Sequence, residues 1–156
     1  MTIEIKKAML FDKDVLRALQ KTLTKESNYL PYGIIEEEKD ISILKNTRKT
    51  NSSYFKIIRI DGKTVGFSSL TKTSVDKGYI KIGVLKQYQR NGYGEMLLRN
   101  IIDDARSNNL HSLFLYVTIN NVAGVALFLK NNFIIKETVN LKPFGNHYRM
   151  GIELTN

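Results

Sequence analysis

The stretch Gln89-Arg90-Asn91-Gly92-Tyr93-Gly94 (QRNGYG) lies between an apolar run ending at Val84 and an amphipathic run beginning near Glu95. Where a strand hands over to a helix, the first N–H groups of the helix are unpaired and carry partial positive charge, so they attract a phosphate if the backbone can come close. Glycine at 92 and 94 removes the β-carbons that would hold a ligand off, and Gln89 and Arg90 add donors on the same rim. A P-loop requires Gly-Lys followed by Ser or Thr, whereas Gly94 is followed by Glu95 and Met96. A dinucleotide fingerprint requires a third glycine where Leu97 stands. What remains is a diphosphate cradle of the form Gln/Arg-x-x-Gly-x-Gly/Ala. The alternative is a pair of glycines that only shape a tight turn.

On the N-terminal side, YIKIGVL alternates as a strand, entered through a turn at Asp76-Lys77-Gly78. Before it, YFKIIRI and TVGFSSLTK flank Asp61-Gly62, both of which tolerate positive φ and so signal an antiparallel hairpin. Further back, TIEIKKA alternates as a half-buried strand, and Asp12 caps a helix with the apolar stripe Val15, Leu16, Leu19 and Leu23. The loop ESNYLPYG ends that helix. A second starts near Ile34, with Glu36, Glu37 and Glu38 suited to its positive end and Ile41 and Leu44 on its inner face.

On the C-terminal side, Leu97, Leu98, Ile101, Ile102 and Ala105 share one face of a helix that closes around Ser107 to Asn109. SLFLYVT is apolar on both faces, the pattern of a central strand covered by helices on both sides. Asn121 caps a helix striped by Val122, Val125, Ala126 and Leu129, and FIIKETV and YRMGIEL close the chain as paired strands. The order β-α-α-β-β-β-α-β-α-β-β predicts a mixed α/β (α+β) fold, a largely antiparallel sheet with helices on both faces and a βαβ crossover around QRNGYG.

One domain over residues 1–156 is the expectation, a length that hides roughly 68–70 % of the unfolded surface. Hydrophobic residues at 42 % and charged residues at 25 % are globular values and exclude a disordered or fibrous chain. With no cysteine there is no disulfide framework, thiolate metal site or cysteine nucleophile, and His111 and His147 lack zinc-site spacing, so no metal is expected. No apolar run approaches the ~20 residues that span a bilayer, and MTIEIKKAML alternates instead of forming a signal-peptide core. A cytoplasmic protein with no membrane partner is the expectation. The 24 Lys and Arg against 15 Asp and Glu give +9. That favours an anionic partner, such as nucleic acid or a polyphosphorylated cofactor, or is simply a soluble basic surface. The cations are scattered over every element without interleaved aromatics, which argues against nucleic acid.

Val84 to Gly94 (VLKQYQRNGYG) resembles the acyl-coenzyme A-binding signature of the GNAT superfamily of N-acetyltransferases, Val-x-Pro-x-x-Gln/Arg-x-x-Gly-x-Gly/Ala, with Lys86 in place of proline. Asn120 to Phe133 (NNVAGVALFLKNNF) resembles the family's later Asn-x-x-Ala-x-x-Leu-Tyr-x-x-x-Gly-Phe segment. There Gly124 stands for the alanine, Phe128 for the tyrosine and Asn132 for the glycine. The element order agrees over nearly the whole chain, though the N-terminal third matches in pattern only.

The resemblance implies a GNAT-like sheet of about seven strands. It also implies direct transfer of acetyl from acetyl-CoA to a primary amine of a small molecule, peptide or protein, in a ternary complex and without metal. By the same resemblance, pantetheine lies where the strand ending at Val84 and the strand SLFLYVT diverge. Ile82, Gly83 and Val84 pair with its amides, while Gln89, Arg90, Asn91, Gly92, Tyr93 and Gly94 hold the diphosphate. Asn121 approaches from the other side, Phe128 takes the tyrosine's place, and Lys130 is a candidate for the ribose phosphate or a solvated surface lysine. The Val84 backbone N–H is the family-like oxyanion donor.

Chemistry also requires a proton for the departing thiolate and a neutral amine. Phe128 has no hydroxyl to supply the first, which leaves Tyr116 and Tyr148 as candidate acids, or the amine or a water in their stead. The positions where relatives carry a glutamate base hold Gly78 and Tyr116, which leaves Glu26 and His147 as candidate bases, or none. Acceptor choice is expected to rest with Glu26 to Glu38 and Lys142 to His147. Two other readings stay open, a catalytically weak coenzyme A-binding regulator and a basic nucleic-acid or ribosome-associated module. The chain is expected to be a monomer or homodimer.

Overall fold

A computed structural model describes residues 1–26, 37–47 and 53–154. The elements are β1 (Ile3–Lys7), α1 (Lys13–Glu26), α2 (Glu37–Lys45), β2 (Ser53–Ile60), β3 (Lys63–Lys72), β4 (Lys77–Val84), α3 (Tyr93–Ser107), β5 (Ser112–Thr118), α4 (Val122–Lys130), β6 (Ile134–Asn140) and β7 (Asn146–Glu153). Their order is the predicted one. The predicted start of the second helix near Ile34 and the loop before it lie outside the described residues. Seven strands form one sheet, ordered β1-β2-β3-β4-β5-β7-β6, and every pairing is antiparallel except β4 with β5.

Alternation along the strands sorts the core into two layers. Phe55, Ile57 and Phe67 receive Leu16, Leu19 and Leu23 of α1 and Leu44 of α2 on one face. On the other face Leu98, Ile101, Ile102 and Ala105 of α3 pack on Leu70, Ile80, Leu113, Leu115, Val117, Met150 and Ile152. A side chain of this kind contributes about 1.5–3 kcal/mol when buried, so the stripe on α3 alone holds that helix to the sheet. The β2–β3 hairpin closes at Asp61 (φ 49°) and Gly62 (φ 83°), the two positive dihedrals a tight hairpin turn demands.

Several local expectations change. Val15 is 44 % exposed, since it lies beside the Leu16-Leu19-Leu23 row and not in it. Asp12 ends a 3-10 turn (Leu10–Asp12), where its Oδ2 accepts the Met9 N–H at 2.9 Å, and Arg59 and Lys6 lie 3.7 and 3.9 Å from the buried carboxylate. In α4 the packed residues are Val125, Leu127 and Phe128, while Val122 and Leu129 are 75 % and 48 % exposed. The segment VAGVALFLK is apolar on every side, so periodicity could not choose its inner face. Gly78 sits inside β4 and not in the turn, which falls at 73–76, with the Thr73 N–H bonded to the Lys77 carbonyl at 2.9 Å. Space is what Gly78 supplies, since a β-carbon there would meet Leu70 Cδ1 at 2.6 Å and Leu113 Cδ2 at 3.0 Å.

The one parallel pairing is short. It covers Lys77↔Ser112, Gly78↔Leu113 and Tyr79↔Phe114 and then stops, although β4 continues to Val84 and β5 to Thr118. Each strand stays in the sheet through its other neighbour, β3 for β4 and β7 for β5, so the two part like the arms of a wedge. Among the described residues β5 has helices on one face only, and its second apolar face carries the aromatics of this wedge. No helix of the described residues is long and apolar enough to cross a membrane.

Candidate active site

The wedge opens into a cleft of about 680 Å³. Its β4 wall presents backbone donors and acceptors in a set direction. The Leu85 N–H bonds Val65 O of β3 at 2.8 Å, so by strand alternation the peptide groups of Ile80, Ile82 and Val84 face away from β3; the Tyr79↔Phe114 rung takes the Ile80 N–H, and those of Ile82 and Val84 open into the wedge. Those of Gly83 face β3. The Val84 carbonyl already accepts Gln89 Nε2 at 2.9 Å, which leaves the N–H of Val84 as its contribution to the cleft.

At the open end Gln89 is extended (φ −70°, ψ 165°), and Arg90 and Gly92 take the left-handed region at φ 65° and 83°, turning the chain into α3. The first helical bond of α3 runs from the Met96 N–H to the Gly92 carbonyl at 3.0 Å, so the N–H groups of Tyr93, Gly94 and Glu95 precede the helical ladder. Gly92 is needed for its dihedral. A β-carbon at Gly94 would make only ordinary contact with Leu127 Cδ2 at 3.7 Å, so no neighbour in the protein requires glycine there. Asn91 pins the loop by donating Nδ2 to the Tyr88 and Gln89 carbonyls at 3.1 Å each. The Tyr93 ring is buried among Ile58, Ile60, Val65, Val84 and Leu97, so this residue offers the cleft its backbone.

On the opposite wall Asn121 caps α4, its Oδ1 accepting the Gly124 N–H at 3.0 Å. Gly124 is glycine because the capping side chain lies on it, with Nδ2 2.6 Å from where a β-carbon would stand. Phe128 packs on Phe133, ring centroids 5.8 Å apart. Asn132 holds φ 73°, a left-handed position that asparagine tolerates in place of glycine. Lys86 opens a 3-10 turn and gives its backbone N–H to Glu26 Oε1 at 2.9 Å, a bond a proline could not make. Helix α1 is thereby tied to the end of β4.

A carboxylate stitches the two helices of the rim. Glu95 accepts Asn131 Nδ2 at 3.0 Å and lies 3.2 Å from Lys130 Nζ and 3.6 Å from Arg99. The Asn131 hydrogen bond first, then Lys130, holds the Glu95 carboxyl below the usual glutamate range. Lys130 reaches Glu95 at the cleft rim with its side chain 66 % exposed, as a surface lysine.

At the closed end three aromatic rings meet. Tyr79 stacks on Phe114 at 5.2 Å, and Tyr116 stands edge-on to Tyr79 at 5.9 Å and to Phe114 at 6.1 Å. Burial first, and Tyr116 second, push the Tyr79 hydroxyl up to about 12.

Of the residues singled out from sequence, Ile82, Gly83, Val84, Gln89, Arg90, Gly92, Tyr93, Gly94, Asn121, Phe128, Lys130 and Tyr116 line one cleft, and Asn91 braces its loop. Three candidates lie off the lining. Tyr148 packs on the core under α3 and α4. Glu26 is engaged with the Lys86 N–H. His147 is fully buried with Nδ1 2.8 Å from the Gly145 carbonyl, and its Nε2 has no partner among the described residues. Tyr79, Glu95 and Thr118 line the cleft and went unnoticed in sequence. Tyr79 could have been flagged as the large polar residue beside the strand's apolar row, but its site role depends on where β4 and β5 part. Among the described residues no group of three or more His, Cys, Asp or Glu could hold a metal ion.

A family model described as Acetyltransferase (GNAT) family matches residues 16–133. The fold is similar to an acetyltransferase of the GNAT family from Streptococcus pneumoniae, with 24 % identity and TM-score 0.86 over 99 % of this chain and 100 % of that one. It is also similar to yncA from Salmonella typhimurium with its cofactor acetyl-CoA, at 15 % identity and TM-score 0.82 over 100 % and 96 % of the two chains. PaiA N-acetyltransferase from Thermoplasma acidophilum in complex with coenzyme A gives 19 %, 0.79, 98 % and 99 % in the same order. These structures share the fold, and the family match spans well over half of the sequence: the chain belongs to the acetyltransferase (GNAT) family.

Proposed function

We propose that this acetyltransferase moves an acetyl group from acetyl-CoA directly to a primary amine of a small molecule, peptide or protein in a ternary complex. The observation that carries the reading is the unpaired inner rim of β4 opening onto the bare N-terminus of α3. That rim fits an amide-bearing arm, and the helix start fits a diphosphate. Gly94 adds support, since room for a β-carbon is left unused unless a ligand takes it. The Tyr93, Gly94 and Glu95 N–H groups with Arg90 would hold the diphosphate, and the Val84 N–H and Ile82 carbonyl would pair with the pantetheine amides.

Bound there, acetyl-CoA supplies the activated acyl group, which the amine takes as C–N forms and C–S breaks. The pantetheine arm, about a dozen bonds, has the reach of roughly four extended residues. Counted back from the cradle beside Val84, that reach brings the thioester level with Ile80 to Ile82. The last rung takes the Ile80 N–H, so we assign the oxyanion donor to the Ile82 N–H, and leave the Val84 N–H to the arm. Tyr116 is the candidate acid that lines the cleft, and its phenol can return a proton to the departing thiolate.

A melting curve tests the reading. With acetyl-CoA at 100 times Kd, a gain of ~2.7 kcal/mol raises Tm by roughly 5–10 °C. An unchanged Tm overturns it. Thiol release over an amine panel then identifies the acceptor, and Tyr116→Phe lowers kcat by about 10²-fold or more if the phenol is the acid.

A further inference from the structure

We propose that Tyr79, Phe114 and Tyr116 form an aromatic stop that restricts the acyl donor to a short chain. The inference rests on the coenzyme A reading above. Its basis is the register: the last rung joining β4 to β5 is Tyr79↔Phe114, and the wedge ends there. Across that rung the two rings stack at 5.2 Å, and Tyr116 braces both from one side. Each ring is held by the other two, so none can swing away without breaking two contacts.

Tyr79 and Tyr116 line the cleft, and Ile80 and Leu115, both buried, close the wedge on the α3 face. With the thioester at the Ile82 N–H, about two strand residues, roughly 6–7 Å, separate the acyl carbon from the last rung. Two carbons fit that space. A chain with four more methylenes has to displace packed rings, and close-packed interiors resist added volume. Burial raises the Tyr79 hydroxyl and makes it a weaker proton donor than an ordinary phenol, and the stop uses its ring.

Titration calorimetry with coenzyme A, acetyl-CoA and hexanoyl-CoA tests the stop without turnover. Wherever room exists, added methylenes strengthen binding, so a weaker hexanoyl complex reports exclusion. The wild-type chain is expected to bind coenzyme A and acetyl-CoA alike and hexanoyl-CoA about tenfold or more weakly. Tyr79→Ala is expected to bring hexanoyl-CoA within about threefold of acetyl-CoA with coenzyme A affinity retained, whereas Tyr79→Phe, which keeps the ring, discriminates like wild type. If Tyr79→Ala does not fold, Tyr116→Ala opens the same end. Hexanoyl-CoA binding as tight as acetyl-CoA in wild type, or unrelieved exclusion in the alanine variant, overturns the stop and leaves the coenzyme reading standing. Failure of all three compounds to bind overturns both.

Discussion

Gly92 and Gly94 look alike in the motif and differ in what constrains them. Gly92 carries φ 83°, with nothing within 4 Å of an added β-carbon, so its constraint is the backbone itself. Gly92→Ala is expected to cost about 1–2 kcal/mol in urea unfolding, the usual penalty for a left-handed L-residue. Gly94 has no such dihedral and meets only Leu127 in ordinary contact. Gly94→Val should shift stability by less than about 1 kcal/mol yet weaken coenzyme A binding about tenfold or more in calorimetry. Retained affinity would place the diphosphate elsewhere. At this scale the motif was legible because a helix start and a positive φ are local properties. The departures from the family pattern were legible as letters but not as reasons. Lys86 makes sense only beside Glu26, and Gly124 only under the Asn121 side chain.

At the scale of elements, β4 and the α3–α4 rim carry the consequences. Gly78→Ala drives a methyl into Leu70 and Leu113 at the root of the wedge, and overpacking of this kind costs about 1–3 kcal/mol, measurable as a lower urea midpoint. The Glu95 carboxyl is held below its ordinary range in the folded chain, so its contribution is complete above the unfolded value and fades as pH falls through the folded one. Glu95→Gln should therefore melt below wild type at neutral pH, and the difference should close as the pH drops below about 4. A gap that persists in acid would mean that the charge is not what joins α3 to α4. The α3 stripe was fully readable because one face is apolar and the other polar. In α4 and β5 apolar residues fall on every face, and there only packing chose the inner one, which is why Leu127 and the two faces of SLFLYVT were not resolved.

For the molecule as a whole, the charge of +9 acts on encounter more than on fold. Association with coenzyme A, followed by stopped flow, should slow severalfold as salt rises from about 0.05 to about 0.5 M, while dissociation changes much less. Equal salt dependence of both rates would remove steering as the role of the basic surface. The order of elements, the Asp61-Gly62 hairpin, the α3 stripe and a helix start at QRNGYG were all determined by sequence, because period, turn dihedrals and helix ends act between near neighbours in the chain. Only tertiary structure decided where β4 leaves β5, that Tyr79 and Tyr116 share the cleft while Tyr148 and His147 do not, and that Glu95 reaches Lys130. Each of these depends on the register between segments far apart in the chain, and a single residue of slip would turn every side chain of a strand to its other face.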